Sequence, residues 1–235
     1  LKLLTVDWDY FFLDKLDSGE PDCLLYDWGH KETQLFINSL WEIRASGFLR
    51  YNLPLPQTTG EDLAFWDNFQ FSRGAILYYA ESHSFIVDPT VRRGVTEIWS
   101  FDAHQDAGYG RELSLSRVTC EDWLAHYHDL GITNLHVRYP LWQKQALENE
   151  PPIPIDQKFV GPGETSNLIF DRIFICRSGA WVPSWLDGKF DNFVRACPVG
   201  KKICTEEEGK LSPRNFSLEV AKQMAQPLEF PPLQS

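Results

Sequence analysis

The chain is short of the residues that mark several large protein classes. Only five of its 235 residues are cysteine (Cys23, Cys120, Cys176, Cys197 and Cys204), with no C-x-x-C pair and one member left over. That count speaks against a disulfide framework or a zinc knuckle and for reduced thiols. Positive charge is scarce too. Against 33 Asp and Glu stand 22 Lys and Arg, a net charge of −11, which argues against a nucleic-acid backbone as the main partner. No apolar run approaches the roughly 18 residues of a membrane-spanning helix. The opening LKLLTVDWDYFF is apolar, but Asp7 and Asp9 interrupt it and no small-residue cleavage site follows. It reads as neither a signal peptide nor a membrane span. Repeats and low-complexity tracts are missing as well. These absences leave a soluble cytoplasmic protein, with a homo-oligomer left open and no membrane partner expected.

What is there suffices for a core. At 43% hydrophobic and 23% charged residues the composition is that of a globular chain, and one domain over residues 1–235 is the default. Leu3-Leu4-Thr5-Val6 predicts a buried strand ending at Asp7 to Asp9. Residues 31–46 put Leu35, Ile37, Leu40, Trp41 and Ile43 near helical spacing, with Gly47 as the stop. Residues 50–72 read as a loop with local helix. Further buried strands are predicted over Gly74–Ala80, at Thr96-Glu97-Ile98-Trp99, over Asn134–Tyr139 before Pro140, and over Ile169–Cys176. Helices are predicted from about Cys120 to Leu130, closed by Gly131, and near 184–196 and 215–226. The Pro- and Gly-rich stretch 150–167 reads as a mobile loop and the tail 227–235 as loosely ordered. Strands apolar on both faces, alternating with helices, imply an α/β fold: a three-layer α/β/α sandwich around a mainly parallel sheet.

In such a sheet ligands bind beyond the carboxyl ends of the strands. Three predicted strands end in Asp or His there. Asp7 and Asp9 follow the first, His83 follows a second within Glu81-Ser82-His83-Ser84, and Asp102, His104 and Asp106 follow a third within SFDAHQDAGYG. Four aspartates and two histidines with no thiolate suit two divalent cations better than a structural zinc, with Mn²⁺ foremost and Zn²⁺ or Fe²⁺ as alternatives. Burying so much negative charge unpaired is very costly, and two cations would offset it. The plainer reading makes Asp7 and Asp9 a strand-end turn pair, Asp102 a helix cap and His83 a core histidine.

The segment D-A-H-Q-D at 102–106 resembles the D-A-H-x-D signature of the arginase and agmatinase group, relatives of the deacetylase fold. E-S-H-S at 81–84 stands where that family has G-G-D-H-S. V-D-W-D-Y at 6–10 resembles its S-x-D-x-D segment, normally last of the three and here first, as in a circular permutation. The resemblance implies an arginase-like fold and a metal-dependent hydrolase. His83 would bind one metal and His104 the other, Asp102 and Asp7 would bridge, Asp106 would complete the first site and Asp9 the second. Bridging solvent with its pKa lowered to about 7 would then attack a guanidinium, amidine or amide carbon. Glu81 and Ser82 depart from the family pattern, and its guanidinium-clamping motifs have no counterpart here. A small cationic substrate is the expected partner.

Other candidates surround these six. In WLAHYHDLG, His126 and His128 lie two apart on a helix and point to different faces. One of them, His126, is a candidate proton shuttle beside Asp102 and His104, against a packing role. Arg177, Ser178 and Trp181 in a Gly-containing turn, with Glu81, are candidates for substrate binding, Arg177 for a carboxylate. An apolar run followed by D-x-D also resembles the start of haloacid-dehalogenase-like phosphatases, with Asp7 as nucleophile, Asp9 as acid/base and one Mg²⁺. Phe11 departs from that pattern, and His83 and His104 would have no task. A metal-binding regulatory protein without turnover is the third alternative.

Overall fold

The computed structural model describes residues 1–12, 32–109, 118–145 and 150–226. Its strands are β1 (Lys2–Asp7), β2 (Gln70–Ala80), β3 (Glu97–Phe101), β4 (Asn134–Tyr139), β5 (Asp156–Phe159), β6 (Ile169–Cys176) and β7 (Lys201–Cys204). They form one seven-stranded sheet in the order β5-β4-β3-β1-β6-β2-β7, and every pairing is parallel. β1 is central, so both of its faces must be covered, and its interior residues are all buried. This is why Leu3-Leu4-Thr5-Val6 reads as continuously apolar rather than alternating.

The helices are α1 (Gln34–Arg50), α2 (Pro89–Arg92), α3 (Trp123–Asp129), α4 (Asp187–Ala196) and α5 (Leu218–Ala225). Two buried clusters flank the sheet. On one face Leu4 and Val6 meet Trp41 of α1, Phe65 and Trp66 of a 3₁₀ turn, and Phe190 and Phe193 of α4. On the other Leu3 and Phe174 meet Val91 of α2 and Trp123, Leu124 and Tyr127 of α3. The result is an α/β fold with helices on both sides of a parallel sheet. No helix among the described residues is long and apolar enough to cross a membrane.

Several expectations need correction. α1 runs through Gly47 to Arg50, because its inner face of Ile37, Leu40, Trp41, Ala45 and Phe48 is buried well past the glycine. Packing of that stripe outweighs the roughly 1 kcal/mol cost of a helical glycine. Leu35 and Ile43 lie outside the stripe and are exposed. β2 begins at Gln70 and crosses an irregularity between Phe71 and Ile76, around Gly74. The predicted loop 150–167 contains the edge strand β5, whose DQKF sequence is polar because an edge strand has little to bury. β7 went unforeseen for the same reason. The helix expected from Cys120 starts at Trp123, and the tail 227–235 lies outside the described residues.

Candidate metal centre

The strand order sets the site. β3, β1, β6 and β2 are consecutive in the sheet, so their carboxyl ends lie side by side along one edge of it. β1 delivers Asp7 and Asp9, β2 leads into His83, and β3 leads into Asp102, His104 and Asp106. All six come together in two overlapping groups. Asp7, His83, Asp102 and Asp106 form a deep group, and Asp9, Asp102 and His104 a shallower one. Asp102 belongs to both. Asp7 stands in the deep group beside His83.

Three carboxylate oxygens surround one imidazole nitrogen. Nδ1 of His83 is 3.1 Å from Asp7 Oδ2, 3.4 Å from Asp102 Oδ2 and 3.3 Å from Asp106 Oδ2. Two ligand atoms each about 2.1 Å from an ion stand about 3.0 Å apart at a right angle and about 3.4 Å apart at the tetrahedral angle. The spacings match that range. His83 Nδ1 and Asp102 Oδ2 are also buried without a hydrogen bond of good geometry, which a folded protein seldom tolerates. The donor set therefore fits a divalent cation. In the shallow group His104 Nδ1 is 2.9 Å from Asp9 Oδ2 and 3.9 Å from Asp102 Oδ1.

Local turns aim these groups. Asp7 Oδ1 accepts from Asp9 N at 3.1 Å and caps the 3₁₀ turn Trp8–Phe11. Asp102 Oδ1 accepts from His104 N at 2.8 Å, and Asp9 Oδ1 from Ala103 N at 3.3 Å. Asp106 has φ +50°, a left-handed conformation that non-glycine residues adopt mainly where something holds them. Here Trp123 Nε1 donates to its Oδ2 at 2.7 Å. His83 stacks on Trp123, and its Nε2 lies 2.7 Å from Thr5 Oγ1. With the proton on Nε2 donated to Thr5, the Nδ1 lone pair faces the three carboxylates, the outer-sphere arrangement common for metal-bound histidine.

The electrostatics follow from crowding. Burial pushes Asp102 well above the usual carboxylate range, and the charges of Asp106, Asp7 and Asp9 add to it. Burial, then the charge of Asp7, raises Asp9 to about 7. For His83 burial acts downward, but Asp106 and Asp7 outweigh it and lift the imidazole to about 9. Burial also works to raise Asp7, yet His83 holds it below its ordinary value.

The remaining candidates divide. Trp181 packs edge-on to His104 at 6.2 Å, beside the one ligand-type side chain that is 27% exposed. Ser178, at φ +55°, helps to hold the Asp7 carboxyl low. Arg177 is corrected: it is buried and paired with Glu81, with a 2.7 Å bond to Ser212 O and a contact to Asp187. Its guanidinium is held inside the protein by these partners, while Oε1 of Glu81 is buried without a hydrogen bond. His126 is half-buried on α3 and makes no hydrogen bond or ion pair with the six among the described residues. Thr5, Trp123 and Cys176 contribute without having carried any sequence signal. Thr5 and Cys176 reach His83 and Asp7 across the sheet, and Trp123 reaches His83 and Asp106 from α3. Compared with family models, curated proteins and solved structures, the chain matches none.

Proposed function

We propose that the chain is a metal-dependent hydrolase with a binuclear centre that cleaves a C–N bond in a guanidino, amidino or acylated-amine compound. One observation carries the reading: six ligand-type side chains from three strand ends converge, with Asp102 common to both groups. His83, Asp7, Asp102 and Asp106 would hold the deeper ion, and His104, Asp9 and Asp102 the shallower. Bound there, divalent cations such as Mn²⁺, Zn²⁺ or Fe²⁺ act as Lewis acids and make water nucleophilic at neutral pH. The chain's own groups do the rest. Substrate approaches from the exposed edge of His104, along Trp181, and the carboxylates attract a cationic group to that mouth. The order of motifs, with D-x-D on the central β1, supports an arginase-like arrangement permuted in the chain.

Metal analysis and a substrate screen test this together. Wild type should hold two equivalents of transition metal and release urea or an amine with added Mn²⁺. Asp102→Asn should lose both metals and activity, and His104→Asn one metal. Unchanged stoichiometry in both variants would end the binuclear reading. Mg²⁺-dependent phosphomonoesterase activity that is lost in Asp7→Asn and untouched in His104→Ala would assign the protein to the phosphatase class. Bound metals without turnover would leave a regulatory role.

A further inference from the structure

Asp7 and His83 have a second neighbour of a different chemical kind. Cys176, the last residue of β6, is the register partner of Asp7 on β1 and of Ala80 on β2. Register partners on adjacent parallel strands point to the same side of a sheet, so its thiol lies on the same side as the carboxylate of Asp7. Nδ1 or Nε2 of His83, a carboxylate oxygen of Asp7 and Sγ of Cys176 all lie within 4.8 Å of one another. Cys176 is 1% exposed, and its thiol donates to Glu81 O at 3.2 Å. That carbonyl does not depend on the thiol, because Ser178 N donates to it at 3.1 Å. The sulfur can give up its proton and turn to an ion without leaving a buried acceptor unpaired. Beside it His83 Nδ1 is buried without a hydrogen bond of good geometry and faces the Asp7, Asp102 and Asp106 carboxylates at 3.1–3.4 Å, a nitrogen placed for a cation.

We infer that Cys176 supplies a thiolate to an ion held with His83 and Asp7 on the side of the deep group away from Asp102 and Asp106, which do not share its set, and that this sulfur makes the deep half selective for a borderline cation of the Zn²⁺, Fe²⁺ or Co²⁺ type over Mn²⁺ and Mg²⁺. The inference rests on reading the cluster as a metal centre and specifies the chemistry of one half of it. Thiolate favours softer cations, whereas an all-oxygen and imidazole set accommodates Mn²⁺. On binding, the S–H bond breaks, the proton leaves to solvent, and the metal–sulfur bond replaces it, with no change of oxidation state. The shallow half, with Asp9, Asp102 and His104, has no sulfur in its group and keeps the oxygen-rich preference. A mixed centre follows.

Co²⁺ is the probe, because it reports its ligands by absorption without any turnover. Chelator-treated full-length protein is titrated with Co²⁺, and a thiolate-to-cobalt charge-transfer band in the near ultraviolet is expected as the deep site fills. Cys176→Ser should lose that band while retaining Co²⁺ uptake, and Cys120→Ser should keep it. Zn²⁺ affinity of Cys176→Ser should fall by at least about tenfold, the lower end of what losing even an outer-sphere partner costs, with Mn²⁺ affinity unchanged. X-ray absorption on the zinc-loaded wild type needs no variant and should show a sulfur neighbour at about 2.3 Å. Co²⁺ uptake without the band, or a band that survives in Cys176→Ser, overturns sulfur ligation and leaves the metal centre standing. Failure of the wild type to take up Co²⁺ or Zn²⁺ at all overturns both.

Discussion

Three of the four aspartates of the cluster divide their two oxygens between building the fold and facing the site. Asp7, Asp9 and Asp102 each spend Oδ1 on a backbone N–H and turn Oδ2 toward a histidine. Turn-forming and ligand-type roles, alternatives in the sequence, coexist in one side chain. Asp102 is the extreme case, because burial and three neighbouring carboxylates oppose its charge. Asparagine keeps an acceptor for His104 N and removes that charge. Metal-free Asp102→Asn should therefore melt about 2–4 °C above metal-free wild type, corresponding to about 1 kcal/mol, and gain nothing from added metal. Calorimetry with and without chelator checks both halves, and a lower midpoint would refute the account of crowding. Thr5→Val is nearly isosteric but has no hydroxyl to hydrogen-bond His83 Nε2. It should weaken metal binding by about 10–100-fold while circular dichroism stays unchanged. Titration calorimetry reads the affinity, and wild-type affinity would show that Thr5 does not orient the ring.

Among the elements, the edge pair β4–β5 shows how a polar strand is held. Arg138 of β4 is fully buried and reaches Asp156 at 2.7 Å and Glu164 at 2.5 Å, and donates to Asp156 O at 2.8 Å. Its guanidinium lies 4.5 Å from the Trp99 ring, which stacks on His136. Arg138→Met keeps the bulk and loses the fork of donors. About 2–3 kcal/mol of stability should go with it, less than for a fully buried pair because water reaches both carboxylates. The loss should be local: amide exchange in β5 should speed up ahead of β1 and β6. Uniform acceleration across the sheet would contradict a role confined to the edge. Burial acts to raise the Asp156 carboxyl, but hydrogen bonds from His136 and Arg138 outweigh it and hold it at about 2. A depressed carboxylate contributes above its unfolded pKa and fails as pH falls through the folded one. Protection of β5 should therefore persist to about pH 4 and disappear between about 4 and 2, which the same exchange measurement records.

For the whole molecule, the cluster makes stability and function pull in opposite directions. Asp9 and Asp102 have raised pKa values. A group raised on folding contributes fully below its unfolded pKa and loses that contribution as pH rises through the folded value. Metal-free protein should thus become less stable as pH rises from the ordinary aspartate value of 3.8 through the value of about 7 for Asp9. Metal binding has the opposite slope, since ligands must shed protons first. Cation at about a hundredfold over its dissociation constant should add about 2.7 kcal/mol, roughly 5–10 °C in melting midpoint, and this gain should grow over the same pH interval. Thermal melts at several pH values, with metal and with chelator, test the pair of slopes. A gain independent of pH would mean that the cation binds elsewhere.

Much of this protein is written along the chain. Strands β1, β2, β3 and β6 carry apolar runs that announce them, and the Asp and His residues that follow β1, β2 and β3 stand out against so much hydrocarbon. Local sequence could not assign the edges. β5 and β7 are short and polar, and only hydrogen bonding to a neighbouring strand makes them strands. Nor could it mark the end of α1, where burial of Trp41, Ala45 and Phe48 carries the helix past Gly47. The site divides in the same way. Six candidates carry charge or imidazole where chemistry is expected and are legible by residue type alone. Thr5 and Cys176 look like ordinary strand residues, and Arg177 looks like an open anion-binding group. Their roles depend on what lies across the sheet: Thr5 faces His83, Cys176 is in register with Asp7, and Glu81 closes on Arg177. Residue type and periodicity determined which segments become strands and where charge gathers at their ends. Strand order and register decided which of those groups meet, because pairing of residues far apart in the chain is a property of the folded sheet alone.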